Sequence, residues 1–467
     1  MVGVVTTATT LDPGAPGPPS LAHRVHQAGQ HTREGLVAAL VAGGGLVVLG
    51  LWVHDTPGRS LHSLGDELTA AGRVTALLGT YLLLVQILLM ARLPWLERLI
   101  GTTRLAVWHR LNGMYSVGLL VAHTVLTIWG YAVTDHAGLA HETASVVLTY
   151  PDVLMATVGL GLLLVVSVLS ARAARRRLRY ETWYAIHLYA YLGVGLSLSH
   201  QLATGADFTD SLANRVFWVG LFAGTAACLV VFRFVAPAVA YARHRFRVAD
   251  VIPEGPGVVS IIVTGDRLEE LRAEAGQFFR LRFLHKDGWW QSHPFSLSVA
   301  PNGRALRFTV KDLGDHTGGL SRLAPGTRVV AEGPYGAFTA LRRARDKVLL
   351  IGGGLGITPV RALLAALPGG PGDITLLYRV SREDDLVFRT ELEELGRRRG
   401  ARIHYLVGPR TRTPDPIGPE VLASLVPDAR ERDVYLCGPT GMTDATAASL
   451  RALGVPRSRI HTERFDL

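Results

Sequence analysis

Cysteine is nearly absent from this sequence, since only Cys228 and Cys437 occur among 467 residues. Two cysteines are too few for a scaffold held by several disulfides or for a metal site built from four thiolates. Cys228 falls in an apolar stretch of membrane length and Cys437 in a more polar second half, so we expect them in separate compartments. A disulfide between them is therefore not expected.

Charged residues are also few: 18% of the residues are Asp, Glu, Lys or Arg, whereas 48% are hydrophobic. In the first half, six stretches are long and apolar enough to cross a bilayer as helices. They are approximately residues 36–53, 68–91, 105–133, 152–171, 183–200 and 213–236. None follows residue 245, so we predict an all-α membrane bundle over 35–242. A disordered, Pro/Gly/Ala-rich tail without signal-peptide features is predicted over 1–34.

Acidic residues are rare on one side of these predicted spans. Basic residues cluster within 23–33, 92–104, 172–179 and 233–247, whereas the alternate loops carry most of the carboxylates. By the positive-inside rule, both termini are then cytoplasmic and the protein lies in the cell membrane. This asymmetry accounts for the formal net charge of +10, so a nucleic-acid partner is not indicated.

Four histidines interrupt the apolar stretches in two pairs, His109 with His123 and His187 with His200. Their separations are 14 and 13 residues, which is roughly 20 Å along a helix. A single intramembrane histidine is more often a hydrogen-bonded core residue or a member of a proton relay. Two such pairs favour axial ligation of two stacked haems, with His109 and His187 at the inner level and His123 and His200 at the outer level.

The separation of His187 and His200 does not place both side chains on one face of a regular helix. At about 100° per residue, a separation of 14 returns to within about 40° of one helix face, whereas 13 leaves the two rings about 140° apart. Gly193 and Gly195 lie between His187 and His200. We therefore predict a local bulge or kink there that turns His200 into line.

Arg73, early in the second stretch, is expected at the outer level. It is either a cation that reaches the membrane interface or a residue at the outer haem edge that attracts an anionic acceptor or product. Four histidines in or near the outer loops are expected to be solvated or to lie on the acceptor side rather than to be ligands. These are His54, His62, His136 and His141.

After residue 245, short β-like runs separated by turns predict a small antiparallel barrel over 243–345. It contains His293-Pro294-Phe295-Ser296, then Lys311 and Thr317, and then Gly333-Pro334-Tyr335-Gly336. Aromatic, donor and glycine residues at strand ends match what a flavin needs against its ring, along its polar edge and beside its pyrophosphate. Each motif alone is weak, since Gly-Pro-Tyr-Gly is as often only a turn.

A parallel α/β fold is predicted over 346–467, where strands alternate with helical stretches. An apolar run leads into Gly352-Gly353-Gly354-Leu355-Gly356-Ile357-Thr358-Pro359 and then a helix. This order presents backbone N–H groups and a helix N-terminus to a pyrophosphate, although its spacing is not G-x-G-x-x-G. Cys437-Gly438-Pro439 follow a later strand, at the edge where such sheets bind ligands.

In their order along the chain, these motifs resemble those of the ferric reductase and NADPH oxidase superfamily. Members join a six-helix bis-haem domain to a ferredoxin-reductase-like dehydrogenase, and the resemblance covers about residues 36–467. It implies that 293–296 hold FAD, that 352–359 hold the pyrophosphate of NADPH or NADH, and that Cys437 lies near the nicotinamide. It also implies that Phe465 stacks on the flavin until the nicotinamide displaces it.

The resemblance further implies that Ser381 and Arg382 hold a 2′-phosphate, for which the alternative is a solvated loop. The implied activity is transfer of electrons from NAD(P)H through FAD and two b-type haems to an outside acceptor. Arg73 resembles an arginine that oxygen-reducing members place beside the outer haem, which favours O2 and formation of superoxide.

Three alternatives stay open. A ferric chelate is one, because a cation would attract it equally. An electron carrier that feeds a membrane partner or a quinone is the second, although nothing in the sequence requires an obligate protein partner. A membrane binding protein with an inactive dehydrogenase half is the third.

Overall fold

The structure, a computed structural model, describes residues 21–56, 62–171, 178, 180–209, 211–285, 289–312, 319–409 and 415–464. It forms two compact units. We call Gly35–Leu93 with Arg104–Arg233 the membrane unit, and Pro94–Thr103 with Phe234–Leu467 the strand-rich unit. Predictions for residues 1–20, for most of the basic run 172–179, and for Thr317 and Phe465 concern positions outside the described residues.

The membrane unit is built from helices. In chain order they are α1 (Leu21–Asp55), α2 (Leu64–Leu89), α4 (Thr102–Thr134), α5 (Leu139–Thr149), α6 (Val153–Ser170), α7 (Tyr180–Thr204), α8 (Ala206–Thr209) and α9 (Leu212–Val230). The short α3 (Pro94–Ile100) belongs to the strand-rich unit. Because α1 begins at Leu21, the prediction of a disordered tail is wrong for 21–34, a stretch that contains no proline to interrupt a helix.

Local sequence sets the start of α2. The Ser63 hydroxyl accepts a hydrogen bond from the Asp66 backbone N–H at 3.2 Å, and the Asp66 carboxylate accepts one from the Ser63 N–H at 3.1 Å. This reciprocal capping box satisfies two donors that a helix N-terminus would otherwise leave unpaired.

Among the residues that the structure describes, five helices are long and apolar enough to cross a membrane. They are Glu34–Asp55, Leu64–Leu89, Arg104–Thr134, Val153–Ser170 and Leu212–His244. The remaining predicted span corresponds to α7, which has 25 residues but a more polar composition, and which packs along α6. Its length is that of a spanning helix, and intramembrane polar residues usually face a bundle interior rather than lipid. Six spans stay a prediction.

The helix α7 is continuous from Tyr180 to Thr204, so the predicted bulge at Gly193 and Gly195 is absent, and the alternative of a kink stays a prediction. Gly193 allows close packing instead, because a Cβ there would lie 2.9 Å from the Gly159 carbonyl oxygen of α6. A π-helical segment does occur, but at Val231–Val235, where α9 continues into α10 (Ala236–His244). The rings of α7 are therefore placed by helix packing and side-chain reach.

Small residues also bring α2 and α4 together. A Cβ on Gly72 would lie 3.1 Å from the Thr127 backbone nitrogen, and one on Gly79 would lie 3.1 Å from a methyl of Leu120. Such close approach is typical of helix pairs in membranes. It places backbone carbonyls of α2 beside the histidines of α4.

The antiparallel barrel is confirmed in the strand-rich unit. Its strands are β1 (Arg247–Gly255), β2 (Val258–Thr264), β3 (Phe278–Phe283), β4 (His293–Ser296), β5 (Leu306–Lys311) and β6 (Val329–Tyr335). They form two three-stranded sheets, β1-β2-β5 and β4-β3-β6, joined by bridges such as Leu297 with Phe308. Alternate residues of β3 point into an apolar core that includes Phe279 and Leu281. We call this region the barrel lobe.

The parallel α/β fold is also confirmed, and we call this region the sheet lobe. Its strands are β7 (Val348–Gly353), β8 (Ile374–Val380), β9 (Arg402–Val407), β10 (Asp433–Gly438) and β11 (Ile460–Arg464). Its helices are α11 (Ile357–Ala366), α12 (Arg389–Arg399), α13 (Pro419–Leu425) and α14 (Thr440–Ala452). The order β11-β10-β7-β8-β9 reverses between β10 and β7. Sheets of this kind bind ligands at such a switch point.

One connection between two helices of the membrane unit belongs to the strand-rich unit. Leu96 and Ile100 of α3 are buried, and the Arg342 guanidinium donates to the Ile100 carbonyl at 3.3 Å. Gly101 has φ +87°, and a Cβ there would lie 3.4 Å from Ala337. No motif or periodicity in the sequence indicates this docking.

Candidate functional site

The inner pair of predicted ligands meets across α4 and α7. The ring centroids of His109 and His187 are 6.0 Å apart. His109 donates from Nδ1 to the Gln86 carbonyl at 3.1 Å, and Nδ1 of His187 lies 3.2 Å from the Ser170 hydroxyl. Both rings thus use Nδ1 for support, which leaves each Nε2 available to a ligand.

The outer pair is supported on one side only. His123 donates from Nδ1 to the Gly72 carbonyl at 3.0 Å and lies 3.2 Å from the Thr127 hydroxyl. His200 is close enough to His123 to interact with it electrostatically, but among the described residues its buried Nδ1 has no hydrogen-bond partner. Arg73 follows Gly72 in α2 and is therefore held at the level of His123.

These pairs fit a metal with two protein ligands better than a larger cluster. No group of three or more His, Cys, Asp or Glu side chains that could hold a metal occurs among the described residues. Two metal–imidazole bonds of about 2 Å plus about 1 Å for each ring radius give about 6 Å between ring centroids, as found for the inner pair. Donation of the other ring nitrogen to a carbonyl is the usual support for a metal-bound histidine.

The two predicted flavin motifs lie on either side of β3. Ser296 of β4 and Tyr335 of β6 are both paired with Phe278, so residues far apart in sequence meet at one end of the sheet. The rings of Phe278 and Tyr335 are 5.9 Å apart. Gly336 has φ +95°, a backbone conformation that favours glycine. This end of the barrel lobe offers the aromatic rings of Phe278 and Tyr335 beside the ends of β4 and β6.

Lys311 is oriented toward the sheet lobe. Its ammonium group lies 3.4 Å from the Asp385 carboxylate, in the short helical turn after β8. A contact of this length at a partly exposed site contributes little stability. Lys311 is therefore available to a ligand at the boundary between the two lobes.

The glycine-rich segment lies at the sheet switch point. Gly352 at the end of β7 pairs with Cys437 of β10, and the chain then turns through Gly354–Gly356 into α11. Thr358 donates from its hydroxyl to the Leu355 carbonyl at 3.0 Å, which closes the turn. The segments 352–359 and 437–439 thus meet at one edge, with the N-terminus of α11 beside them.

The two residues proposed to bind a 2′-phosphate follow β8 at the same edge. Arg382 has a side chain that is 73% exposed and only a long contact of 3.7 Å with Asp385. Its guanidinium is therefore free to reorganise around an anionic group. Ser381 precedes it at the exposed end of the strand.

Glu463, which no sequence motif marks, lies beside Cys437 in the structure. The two residues are partners across β10 and β11. Burial, with a contribution from the Glu97 carboxylate and partial opposition from Arg342, raises the pKa of Glu463 to about 7. Burial, and then the nearby Glu463 carboxylate, raises the pKa of the Cys437 thiol well above its usual value, so this cysteine is a neutral thiol. A lone glutamate near a chain end gave no signal in the sequence.

The raised pKa of Glu463 predicts a specific dependence of stability on pH. The folded chain keeps this proton between about 4.5 and about 7, whereas the unfolded chain loses it near 4.5. The free energy of unfolding contributed by this group is therefore highest at low pH and decreases as pH rises through that window. Glu463→Gln cannot ionise, so we expect the variant to gain thermal stability over wild type at pH 8 but not at pH 4.5.

Thermal unfolding of the purified chain at both pH values measures this difference. Glu420→Gln is the matched control, because Glu420 lies exposed in the first turn of α13. Equal pH slopes for wild type and Glu463→Gln would contradict the raised pKa of Glu463.

Profiles of three domain families match the sequence. The ferric reductase like transmembrane component matches residues 75–198, the FAD-binding domain matches 244–339, and the oxidoreductase NAD-binding domain matches 350–448. The first match includes all of the paired histidines except His200, and the other two fall on the barrel and sheet lobes.

Individual relatives match the second half of the chain. The glycine betaine monooxygenase reductase subunit of Chromohalobacter salexigens is 28% identical over 48% of this chain and 64% of its own length. Ferredoxin–NADP reductase B of Sorangium cellulosum is 31% identical over 41% of this chain and 85% of its own length. This chain thus spans slightly less than two thirds of the first relative and most of the second.

A solved structure aligns with the same half. It is the flavohem-like FAD/NAD binding domain of nitric oxide dioxygenase from Vibrio cholerae O1, which is 26% identical, with a TM-score of 0.40. The alignment covers 48% of this chain and 99% of that one.

Proposed function

The chain belongs to the superfamily of ferric reductases and NADPH oxidases, and from that premise we propose that it is a transmembrane NADPH oxidase that reduces extracellular O2 to superoxide. It is a multi-pass membrane protein and an NAD(P)H-dependent flavin oxidoreductase, as its matched domains and apolar helices indicate. We further propose that it holds FAD and two b-type haems, and lies in the cell membrane with both termini cytoplasmic.

The paired histidines carry this proposal. His109 and His187 face each other at a distance that accommodates one metal between two imidazoles, and three of the four rings have Nδ1 supported. A proton relay would need rings that exchange a proton at both nitrogens, whereas the Gln86 and Gly72 carbonyls can only accept and so keep the proton of His109 and His123 on Nδ1. We assign the inner haem to His109 and His187, and the outer haem to His123 and His200.

Each domain of the proposed enzyme binds a different cofactor. Residues 35–242 hold haem, 243–345 hold FAD and 346–467 hold the nucleotide. When bound, FAD would accept two electrons from NADPH and release them singly, and haem iron would exchange one electron at a time. The chain itself supplies axial nitrogens, orientation and exclusion of water.

Specific residues perform these tasks in the proposed site. The segments 293–296 and 333–336, with Lys311 and Thr317, would orient the flavin, while the backbone of 352–359 would bind the pyrophosphate. The buried, neutral Cys437 thiol and the adjacent Gly438-Pro439 exclude water beside the nicotinamide. By the resemblance, Phe465, which lies outside the described residues, would cover the flavin face until the nicotinamide enters.

We propose NADPH as the preferred donor, with NADH as the alternative. The exposed guanidinium of Arg382 suits a phosphate, since arginine binds phosphate oxygens through two parallel hydrogen bonds. The Ser381 hydroxyl adds a further donor to the same group.

The choice of O2 as the acceptor rests on Arg73. This residue is half-buried in α2, next to the glycine whose carbonyl supports His123. A fixed cation beside the outer haem would stabilise negative charge as it develops on reduced oxygen. The same cation would also attract an anionic ferric chelate, so ferric-chelate reduction is the second candidate.

An assay of the purified, haem-loaded chain with NADPH separates the candidates. We expect oxygen consumption together with cytochrome c reduction that superoxide dismutase abolishes. Iron reduction that is insensitive to superoxide dismutase and proceeds without oxygen consumption would replace the oxidase assignment by ferric reductase. NADPH oxidation that requires an added membrane protein or quinone would instead indicate an electron carrier.

A further inference from the structure

Two buried arginines join the barrel lobe to the sheet lobe. Arg361 lies in α11, two residues after Pro359 of the glycine-rich segment, and donates to the Ser298 carbonyl at 2.7 Å. Ser298 lies two residues after the end of β4, which carries the proposed flavin motif. A single guanidinium therefore connects the segments proposed to bind the two cofactors.

Arg307 of β5 reinforces this connection from the other lobe. It donates to Glu391 of α12 at 2.9 and 3.1 Å, and to Glu254 of β1 at 2.6 Å. Arg361 forms a second ion pair with Glu391. Glu391 is thus the common anion of two arginines that come from different lobes. We call Arg307, Arg361, Glu254 and Glu391 the interlobe bridge.

Local structure holds the bridge in place. Glu391 lies in the first turn of α12, where the helix dipole favours a negative charge. The Phe388 ring lies 4.7 Å from the Arg307 guanidinium and 5.6 Å from that of Arg361, within range of cation–π attraction. Phe388 has φ +63°, a backbone conformation that is costly for a residue with a side chain. The surrounding structure must therefore hold it in place.

Burial of these charges is not explained by stability alone. The side chains of Arg307, Arg361 and Glu254 are 13%, 10% and 12% exposed, whereas the side chain of Glu391 is 38% exposed. Replacement of a buried ion network by apolar residues is often neutral or stabilising, so net stability does not account for these buried charges. Arg361 is also unavailable to phosphate, because its guanidinium is already engaged by Ser298 and Glu391.

We propose that Arg361 and Arg307, joined through Glu391, are positioning residues that fix the flavin-binding segment against the nucleotide-binding loop for hydride transfer. This role rests on the proposed function of the site. A displacement of about 1 Å between reacting groups can lower a rate roughly 100-fold. A bridge across the two lobes controls this distance without contact with either cofactor.

Anaerobic stopped-flow reduction of the flavin by NADPH, in the detergent-purified whole chain, tests the proposal. For Arg361→Met we expect a limiting rate about 10–100-fold below wild type. We expect FAD content and the NADPH dissociation constant to stay within about threefold of wild type. The long-wavelength absorbance of stacked nicotinamide and flavin should weaken, and Arg361→Lys should restore part of the rate.

A matched control and a second variant make the test independent of folding defects in Arg361→Met. Arg389→Met removes an arginine of α12 that pairs only within the sheet lobe, with Glu383 and Glu393, and its rate should equal that of wild type. Glu391→Gln keeps the shape of the side chain and should reduce the limiting rate as well. A wild-type rate in Glu391→Gln, or an equal loss in Arg389→Met, would overturn the positioning role. Failure of NADPH and NADH to reduce the wild-type flavin would instead overturn the proposed function.

Discussion

Replacement of His123 by alanine is expected to lower the haem content from two molecules per chain to one and to abolish reduction of the external acceptor. His123 is the outer ligand of α4, and its Nδ1 is held by the Gly72 carbonyl at 3.0 Å. Loss of a supporting contact costs roughly 10–100-fold in metal affinity, so loss of the ligand itself should cost more. Flavin reduction by NADPH should continue at the wild-type rate, because His123 lies outside the strand-rich unit.

The measurements are haem content by the pyridine haemochrome method, the Soret spectrum, and acceptor reduction with NADPH. His54→Ala is the matched control, since the His54 side chain is 85% exposed and pairs only with Asp55. An unchanged haem content in His123→Ala would remove the basis for the outer site. A similar loss in His54→Ala would show that the effect is not specific to the paired rings.

Replacement of Gly356 by valine is expected to reduce the rate of flavin reduction by NADPH about 100-fold, the effect of about 1 Å of misplacement. A Cβ on Gly356 would lie 2.8 Å from the Gly438 Cα and would overlap the Cys437 carbonyl. Both neighbours are backbone atoms of β10, so no side-chain rotation relieves the clash. The glycine-rich loop and the segment 437–439 must therefore separate.

FAD should remain bound in Gly356→Val, because the flavin motifs belong to the barrel lobe. Gly441→Ala is the control, since nothing lies within 4 Å of a Cβ at that position in α14 and alanine favours helix. Stopped-flow reduction and FAD content distinguish the variants. A wild-type rate in Gly356→Val would contradict the assignment of this edge to the nucleotide.

For the membrane histidines, the sequence predicted the positions along the helices but not the orientation of every ring. The positions of His109, His123, His187 and His200 were evident, because histidine is conspicuous in apolar stretches and its spacing converts directly to distance along a helix. The orientation of His200 was not, and the bulge predicted to correct it is absent. Helical phase describes Cα positions, whereas the packing of α6 on α7 and side-chain reach decide where a ring lies.

The roles of residues in the strand-rich unit that belong to no local motif could not be predicted from the sequence. Glu463 acquired its raised pKa only when β11 paired with β10 beside Cys437, with Glu97 nearby. Arg361 was part of a predicted helix, but its partner Ser298 is 63 residues away along the chain. No periodicity or motif encodes a contact between two segments of such separation.

The sequence by itself determined the apolar spans, the two histidine pairs, and the order of the flavin and nucleotide motifs. Each of these depends on composition or on spacing within one element, and such properties are local. Tertiary structure alone decided that α3 docks on the strand-rich unit, that Glu463 keeps a proton near neutral pH, and that Arg361 joins the two lobes. These depend on desolvation and on charges brought together from distant segments, and neither exists until the chain has folded.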